Sequence, residues 1–301
     1  MGNSADGSKD GRAVELGVAL APHADVPERA VELALAADET GLDLVGIGDH
    51  PYRPQFLDTW SFLSYLGART QRIRLMPDVA SLPLRPPAML AKAAASLDVL
   101  TGGRVELGLG AGAFWEEIAS WGGPVRTAGE SVDALAEAVE VMRAIWSGSE
   151  TVTVEGEWYR LQGAHPGPAP AHRISVWVGA FKPRMLELTG RLADGWLPSF
   201  PPMRDEESAA AQAAIDRAAR AAGRDPAEIR RAANLAEVEG PVTGWAESLA
   251  RKAEELGLEA FLVAAEDPET VRRLGEEVAP RLRELTRGMA ATARPAGRAS
   301  P

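Results

Sequence analysis

A histidine follows an apolar segment early in the chain, where its imidazole could exchange a proton with a ligand. The segment over 42–49 reads LDLVGIGD, and His50 comes directly after Asp49. An imidazole titrates near neutrality, so it can donate a hydrogen bond or move a proton at physiological pH. The alternative is a structural histidine that bonds a loop carbonyl. We predict His50 as the catalytic residue, with His23, after an earlier apolar segment, as a second candidate.

A glycine-rich segment is the next candidate for ligand binding. The apolar sequence RVELGLGAG ends in Gly108, Gly110, Ala111 and Gly112. Small residues let a ligand approach the backbone, and free N–H groups there can bind an anion or a ring carbonyl. The alternative is a tight turn at the end of a strand. The dinucleotide pattern G-x-G-x-x-G is absent, because Ala113 stands in place of the third glycine.

Several other chemistries are excluded by composition. The chain has no cysteine, which excludes disulfides, iron–sulfur clusters and thiolate metal sites. Its four histidines show no HxH or HExxH spacing, so we predict no metal centre, and the GxSxG pattern of serine hydrolases is also missing. A net charge of −11 argues against nucleic acid as a partner. Without an apolar run of about 18 residues or an apolar signal core, we expect no membrane contact and a cytoplasmic location.

Short apolar segments alternate with helical segments along the chain. Eight strands are predicted over 14–20, 42–49, 73–80, 104–112, 174–180, 195–199, 231–238 and 260–265. Eight helices are predicted over 27–40, 57–70, 86–100, 127–146, 183–192, 205–222, 243–256 and 268–287. This count is that of a single (β/α)₈ TIM barrel, an α/β fold, and the alternative is an open, doubly wound sheet.

The boundaries of the predicted domain follow from composition. We expect the barrel domain over 13–288, with mobile polar or proline-containing tails over 1–12 and 289–301. A small hairpin, with its turn at Glu155 and Gly156, is predicted as an insertion between strands four and five. In such a barrel the carboxyl ends of the strands share one face, where ligands bind. The candidate residues should therefore meet at this mouth.

The same segments resemble the bacterial-luciferase-like family of flavin- and deazaflavin-dependent oxidoreductases. The resemblance rests on GIGDHP, LPLRPPAMLAKAAASLDVLTGGRVELGLGAG, ESVDALAEAVEVMRAIWSG and ISVWVGAFKPRMLELTGRLADGW, and it runs from about Val14 to Arg287. It implies a TIM barrel that binds coenzyme F420, or alternatively FMN, at its mouth. It also implies a non-prolyl cis peptide between Asp78 and Val79 beneath the ring, and a phosphate site after strand five.

The sequence departs from the family pattern at two places. Relatives that oxidise a sugar phosphate carry a glutamate where this chain has Ala113, which argues against that particular substrate. The phosphate loop is commonly glycine-rich, whereas Ala180, Phe181 and Lys182 follow Gly179 here. This loop therefore offers fewer free backbone N–H groups to a phosphate, and the positive charge of Lys182 could compensate for them. The alternative is a solvated lysine at the start of a helix.

The resemblance implies an F420-dependent oxidoreductase that moves a hydride between the deazaflavin and a small organic molecule. One alternative is an FMN-dependent monooxygenase that activates oxygen; another is a barrel that binds flavin without turnover. A small-molecule substrate and a homodimer are the expected partners. The cofactor-binding residues implied by the match are Asp49, Asp78, Val79, Gly108, Gly110, Ala111, Gly112, Gly179, Ala180 and Lys182.

Overall fold

The structure, a computed structural model, describes residues 13–287. The two predicted tails, 1–12 and 289–301, and residue 288 lie outside the described residues. Among the described residues, no helix is both long and apolar enough to cross a bilayer.

Strands and helices alternate through the described chain. The strands are β1 (Glu15–Leu20), β2 (Leu44–Ile47), β3 (Arg74–Pro77), β4 (Ala80–Ser81), β5 (Leu107–Gly110), β6 (Val152–Glu155), β7 (Arg160–Ala164), β8 (Val176–Val178), β9 (Gly195–Trp196), β10 (Ser199–Phe200), β11 (Arg230–Leu235) and β12 (Ala260–Ala264). The α-helices are α1 (Pro27–Glu39), α2 (Thr59–Arg69), α3 (Pro87–Thr101), α4 (Trp115–Ser120), α5 (Ala128–Ile145), α6 (Pro183–Leu192), α7 (Asp205–Ala221), α8 (Trp245–Leu256), α9 (Pro268–Arg273) and α10 (Ala279–Leu285).

The main sheet is parallel and closes into a barrel. Its strand order is β3-β2-β1-β12-β11-β9-β8-β5-β4, with β10 paired to β11. A parallel bridge between Leu75 and Val105 joins β3 to the segment that enters β5 and so closes the ring. Two of the predicted strands are each split, into β3 with β4 and β9 with β10. The predicted (β/α)₈ barrel is therefore confirmed, and the open-sheet alternative is wrong because both edges meet.

Residues along each strand alternate between the barrel interior and the helices. On β2, Val45 and Ile47 join the large apolar core beneath the helices, whereas Leu44 belongs to a separate cluster. This second cluster fills the barrel and consists of Leu44, Met76, Trp177, Leu197, Ala232, Ala260 and Leu262. Successive side chains of a strand point to opposite faces of the sheet. Because both faces are buried here, the strands appear in the sequence as continuous apolar runs.

Ion pairs close the amino-terminal end of the barrel. Glu15 contacts Arg74 and lies 3.0 Å from Arg230, and Arg74 lies 3.0 Å from Glu106. Burial alone would raise the pKa of Glu15, but Arg230 and Arg74 outweigh burial and lower that pKa. The guanidinium of Arg230 also lies over the ring of Trp177. This charged end leaves the opposite end of the barrel as the open one.

Local signals set several element boundaries. Thr127 accepts from the backbone N–H of Glu130, whose carboxylate accepts from Thr127 in return, so a capping box begins α5. After α5, β6 and β7 pair antiparallel, and the chain turns between Glu155 and Arg160. The short helix α4 stands where the sequence predicted a loop after strand four. Its N-cap residue, Phe114, makes no side-chain capping bond, so the sequence carried no sign of a helix start there.

Candidate active site

The floor of the barrel mouth is formed where the third strand breaks. The peptide bond between Asp78 and Val79 is cis, as the family resemblance implies. It separates β3, which pairs with β2, from β4, which pairs with β5. The third strand therefore changes partners at these two residues, and both side chains remain partly exposed.

Two glycines of β5 make room for Val79 at this floor, and a third, Gly179, lies near it. A Cβ atom at Gly110 would lie 2.8 Å from a methyl group of Val79, and one at Gly108 would lie 3.0 Å from the other methyl. A Cβ atom at Gly179 would lie 3.9 Å from Val79 and meet no closer atom than the carbonyl oxygen of Leu197, at 3.6 Å. Gly108 and Gly110, which were predicted to bind the cofactor, thus provide the space for the side chain of Val79. Together these residues form a floor of small side chains at the mouth.

Ala111 and Gly112 continue this edge towards α4. Gly112 has a φ of 103°, which L side chains rarely adopt. A Cβ atom there would also lie 2.8 Å from both Pro83 and the indole of Trp115. Gly112 is therefore required by the turn and by the close approach of Trp115, whereas Ala111 packs against the main core.

Asp78 lies inside the barrel beside Asn234 of β11. The Nδ2 of Asn234 donates to the Oδ1 of Asp78 over 2.7 Å. Burial raises the pKa of Asp78 to about 6, and the bond from Asn234 opposes that rise only in part. Sequence reasoning missed Asn234, although a polar residue within the apolar segment RAANLAEV was a signal for it.

His50 lies at the end of β2, in a wall of aromatic side chains. Its Nδ1 is 2.8 Å from the hydroxyl of Tyr52, and its ring centroid lies 5.6 Å from those of Tyr52 and Phe114. Phe56 completes this wall at 6.3 Å from His50, and it also packs edge-on against His23 at 4.9 Å.

Electrostatics keep the imidazole of His50 neutral at neutral pH. Burial and the guanidinium of Arg53 lower its pKa, and the carboxylate of Asp49 offsets this only in part. Burial also raises the pKa of Tyr52 to about 12, so its hydroxyl keeps its proton. A neutral imidazole can accept a proton from a ligand, as a candidate base requires.

Asp49 differs from the other predicted cofactor-binding residues in its contacts. Its carboxylate accepts from Arg85 at 2.6 and 2.8 Å and from the backbone N–H of Ser81 at 2.9 Å. The side chain is fully buried. These bonds join the end of β2 to β4, so they fix the segment from which His50 projects. Arg85, which stands in the motif LPLRPP, was also missed in the sequence.

The loop after β8 leads into α6. The carbonyl oxygen of Ala180 accepts from the indole of Trp196 over 2.9 Å, so the buried Ala180 supports the loop. Lys182 is the exposed N-cap of α6, and within residues 13–287 its ammonium has no hydrogen-bond or ion-pair partner. Pro183 fits the first turn, where its missing N–H costs nothing. An exposed cation, within electrostatic range of Glu207, therefore stands where the positive end of the helix dipole favours an anion.

A family model described as luciferase-like monooxygenase matches residues 11–238. The chain belongs to this luciferase-like family. Within the described residues, no three His, Asp or Glu side chains gather into a metal site. The predicted site residues lie on the ends of β2, β3, β5 and β8, which one face of the barrel brings together.

Curated relatives of the chain include F420-dependent glucose-6-phosphate dehydrogenases. The protein of Gordonia bronchialis is 36% identical over 180 residues, which is 57% of this chain and 52% of that protein. The protein of Mycobacterium tuberculosis strain H37Rv is 34% identical over 193 residues, 61% of this chain and 56% of the relative. The chain thus spans little more than half the length of these curated relatives.

Solved structures share the fold at low sequence identity. An F420-dependent secondary alcohol dehydrogenase with an F420–acetone adduct has a TM-score of 0.78 at 19% identity and covers 90% of this chain and 99% of that one. A riboflavin lyase with modified FMN has a TM-score of 0.79 at 16% identity, covering 93% of each chain. Both deazaflavin and flavin enzymes therefore use this barrel.

Proposed function

We propose that this protein is a coenzyme F420-dependent oxidoreductase that acts on a small organic molecule. The observation that carries the proposal is that one face of the barrel holds both a small-residue floor, where Val79 lies against Gly108 and Gly110, and the neutral imidazole of His50 at the end of β2. The F420-dependent activity of the curated relatives supports the choice of cofactor.

The mouth has features that suit a phosphorylated deazaflavin. A Cβ atom at Gly179 would meet no atom closer than 3.6 Å, and Lys182 with the amino end of α6 presents positive charge. When bound, the deazaflavin supplies hydride exchange with the substrate. Val79 and the glycines would support its ring, and Lys182 would hold its phosphate. The protein excludes water from the ring with the apolar floor and the aromatic wall.

In this proposal His50 moves the proton that accompanies hydride transfer. Oxidation of an alcohol releases a hydride from carbon and a proton from oxygen, and the reverse reaction takes both up. The depressed pKa of His50 leaves it able to accept that proton near neutral pH. Tyr52 orients the ring through Nδ1, and Asp49 with Arg85 holds the end of β2 in place.

The aromatic wall favours a substrate other than a sugar phosphate. Ala113 has no acidic group, and the neighbouring Phe114 exposes 39% of its surface. Phe114, Tyr52 and Phe56 offer apolar ring faces next to His50. We therefore propose an uncharged alcohol or carbonyl compound as the substrate. Assembly as a homodimer and a cytoplasmic location stay predictions of the sequence.

A single-turnover experiment tests the proposed reaction. The protein loaded with oxidised F420 is mixed anaerobically with a panel of uncharged alcohols and, separately, with glucose 6-phosphate, and reduction of the deazaflavin is followed by absorbance. We expect reduction by members of the alcohol panel. Oxygen consumption by the protein loaded with reduced FMN, with no reaction of F420, would instead establish the monooxygenase.

A further inference from the structure

Asp78 occupies an unusual place for a carboxylic acid. It lies above the apolar cluster that fills the barrel, and a Cβ atom added at Gly46 would be 2.9 Å from its Cβ and 3.0 Å from its Oδ2. The same added atom would lie 2.6 Å from Leu262. Gly46 on β2 thus leaves the space that the carboxyl group of Asp78 enters, between β2, β11 and β12.

The groups that face this carboxyl are uncharged. β2 presents Gly46, β12 presents Leu262 and β11 presents Asn234. Among the described residues, Asp78 forms no ion pair, and no charged side chain contributes to the shift of its pKa. Asp49, in contrast, is fully buried and is held by two bonds from Arg85. Asp78 is therefore free to change its protonation state without breaking an ion pair.

Asn234 is suited to either state of its partner. Its Nδ2 donates to Asp78, while its buried Oδ1 has no hydrogen-bond partner within the described part of the chain. An amide can donate to a carboxylate, and after rotation by 180° it can accept from a carboxylic acid. An aspartate or an arginine at this position would favour one state only.

We propose that Asp78 and Asn234 form a proton-binding pair at the floor of the mouth, and that a planar cofactor covering this floor makes Asp78 take up one proton. The second part rests on the proposed function. The carboxylate of Asp78 and one proton from the solvent give the carboxylic acid, with no change in oxidation state. Covering the floor removes the remaining water from Asp78, and loss of water disfavours the charged form.

The pair is tested first without cofactor. Carboxyl ¹³C NMR between pH 4 and 8 reports the midpoint of Asp78, and the signal is assigned by its loss in Asp78→Asn. We expect a midpoint of about 6. Asn234→Ala, which removes the donor, should raise this midpoint, and Asn234→Asp should raise it further because two carboxyl groups then share the site. A midpoint near 4 that Asn234→Ala leaves unchanged would overturn the pair.

The proton uptake is tested by calorimetry of F420 binding at pH 7, in two buffers with different ionisation enthalpies. The parent should take up roughly half to one proton more than Asp78→Asn, since most of the apo carboxyl is ionised at that pH. Asp25→Asn removes an exposed carboxyl from the loop after β1 and serves as the matched control; it should match the parent.

The outcomes separate this inference from the proposed function. Binding of F420 with equal proton uptake by the parent and Asp78→Asn would overturn the uptake and leave the proposed function standing. Failure of F420 and FMN to bind would overturn the proposed function and the uptake together. The titration without cofactor would then still decide whether Asp78 and Asn234 form the pair.

Discussion

At the scale of single residues, the chemistry of the mouth depends on how its surroundings change two titratable groups. Burial lowers the pKa of His50 and raises that of Asp78 to about 6, because in both cases the neutral form is favoured away from water. Asp49 directly precedes His50 in the sequence, yet its carboxylate forms an ion pair with Arg85. Neighbouring acids on the same face therefore have different tasks.

We expect His50→Gln to lower turnover by about 10²- to 10⁴-fold, the usual contribution of a general acid or base. Cofactor affinity should change little, since His50 contacts the aromatic wall and not the floor. Steady-state rates and fluorescence titrations measure the two quantities. Tyr52→Phe, which removes only the hydroxyl bonded to Nδ1, is the milder control. Parallel losses of melting temperature and rate in His50→Gln would indicate a structural histidine.

The pH profile of alcohol oxidation should reflect the neutral form of His50. Its pKa lies below the ordinary value of 6.5, so activity should be full above that value and fall as acid protonates the ring. The cation of Arg53 helps to lower the pKa. Arg53→Gln should therefore raise it and move the acidic limb of kcat/KM to higher pH. An acidic limb that stays in place would show that another group controls it.

At the scale of elements, the ends of strands and helices determine what the mouth can bind. The glycines of β5 leave space for Val79, and α6 begins after the exposed Lys182. Each of these features depends on one or two residues, so each can be changed by a single substitution outside the aromatic wall around His50.

A matched pair of glycine variants tests the floor. A Cβ atom at Gly108 would meet the backbone oxygen of Pro77 well inside contact distance, whereas the nearest atom at Gly179 is 3.6 Å away. We expect Gly108→Ala to lower the free energy of unfolding by about 1–3 kcal/mol, the range for overpacking. Gly179→Ala should stay within about 1 kcal/mol of the parent. Urea unfolding measures both; equal effects would contradict the close packing described for Gly108.

Lys182→Ala should weaken F420 binding by about 1–2 kcal/mol, the size of a hydrogen bond to a charged group after screening by solvent. Binding of a phosphate-free analogue should hardly change, because the proposed contact is with the phosphate alone. Added salt should reproduce part of the loss. Equal binding of both ligands by the variant and the parent would make Lys182 a solvated surface residue.

The sequence predicted the elements well where periodicity and end signals agree. The range 183–192 for α6 and the capping box at Thr127 were both confirmed. The break at Asp78 and Val79 was predicted only through the family resemblance, because the sequence predicts one strand over 73–80 although Pro77 and Asp78 interrupt its apolar run. Asn234 stands out as a polar residue in an apolar segment, but its pairing with Asp78 could not be predicted, since the two are 156 residues apart in sequence and only the closed barrel brings them together.

At the scale of the whole molecule, a network of ion pairs closes one end of the barrel and the candidate site lies at the other. Glu15, Arg74, Glu106 and Arg230 close the amino-terminal end with ion pairs. The apolar cluster fills the barrel between its two ends, and the peptide bond between Asp78 and Val79 lies on the side of this cluster that faces the mouth. The fold serves deazaflavin and flavin enzymes alike, so the cofactor has to be decided by the mouth itself.

The central claim is that this mouth is built for the deazaflavin. Its most direct test is a fluorescence titration of the full chain with F420 and, separately, with FMN, under the same buffer and salt. We predict that F420 binding saturates at lower concentrations than FMN binding. Tighter binding of FMN would contradict the claim and favour the monooxygenase.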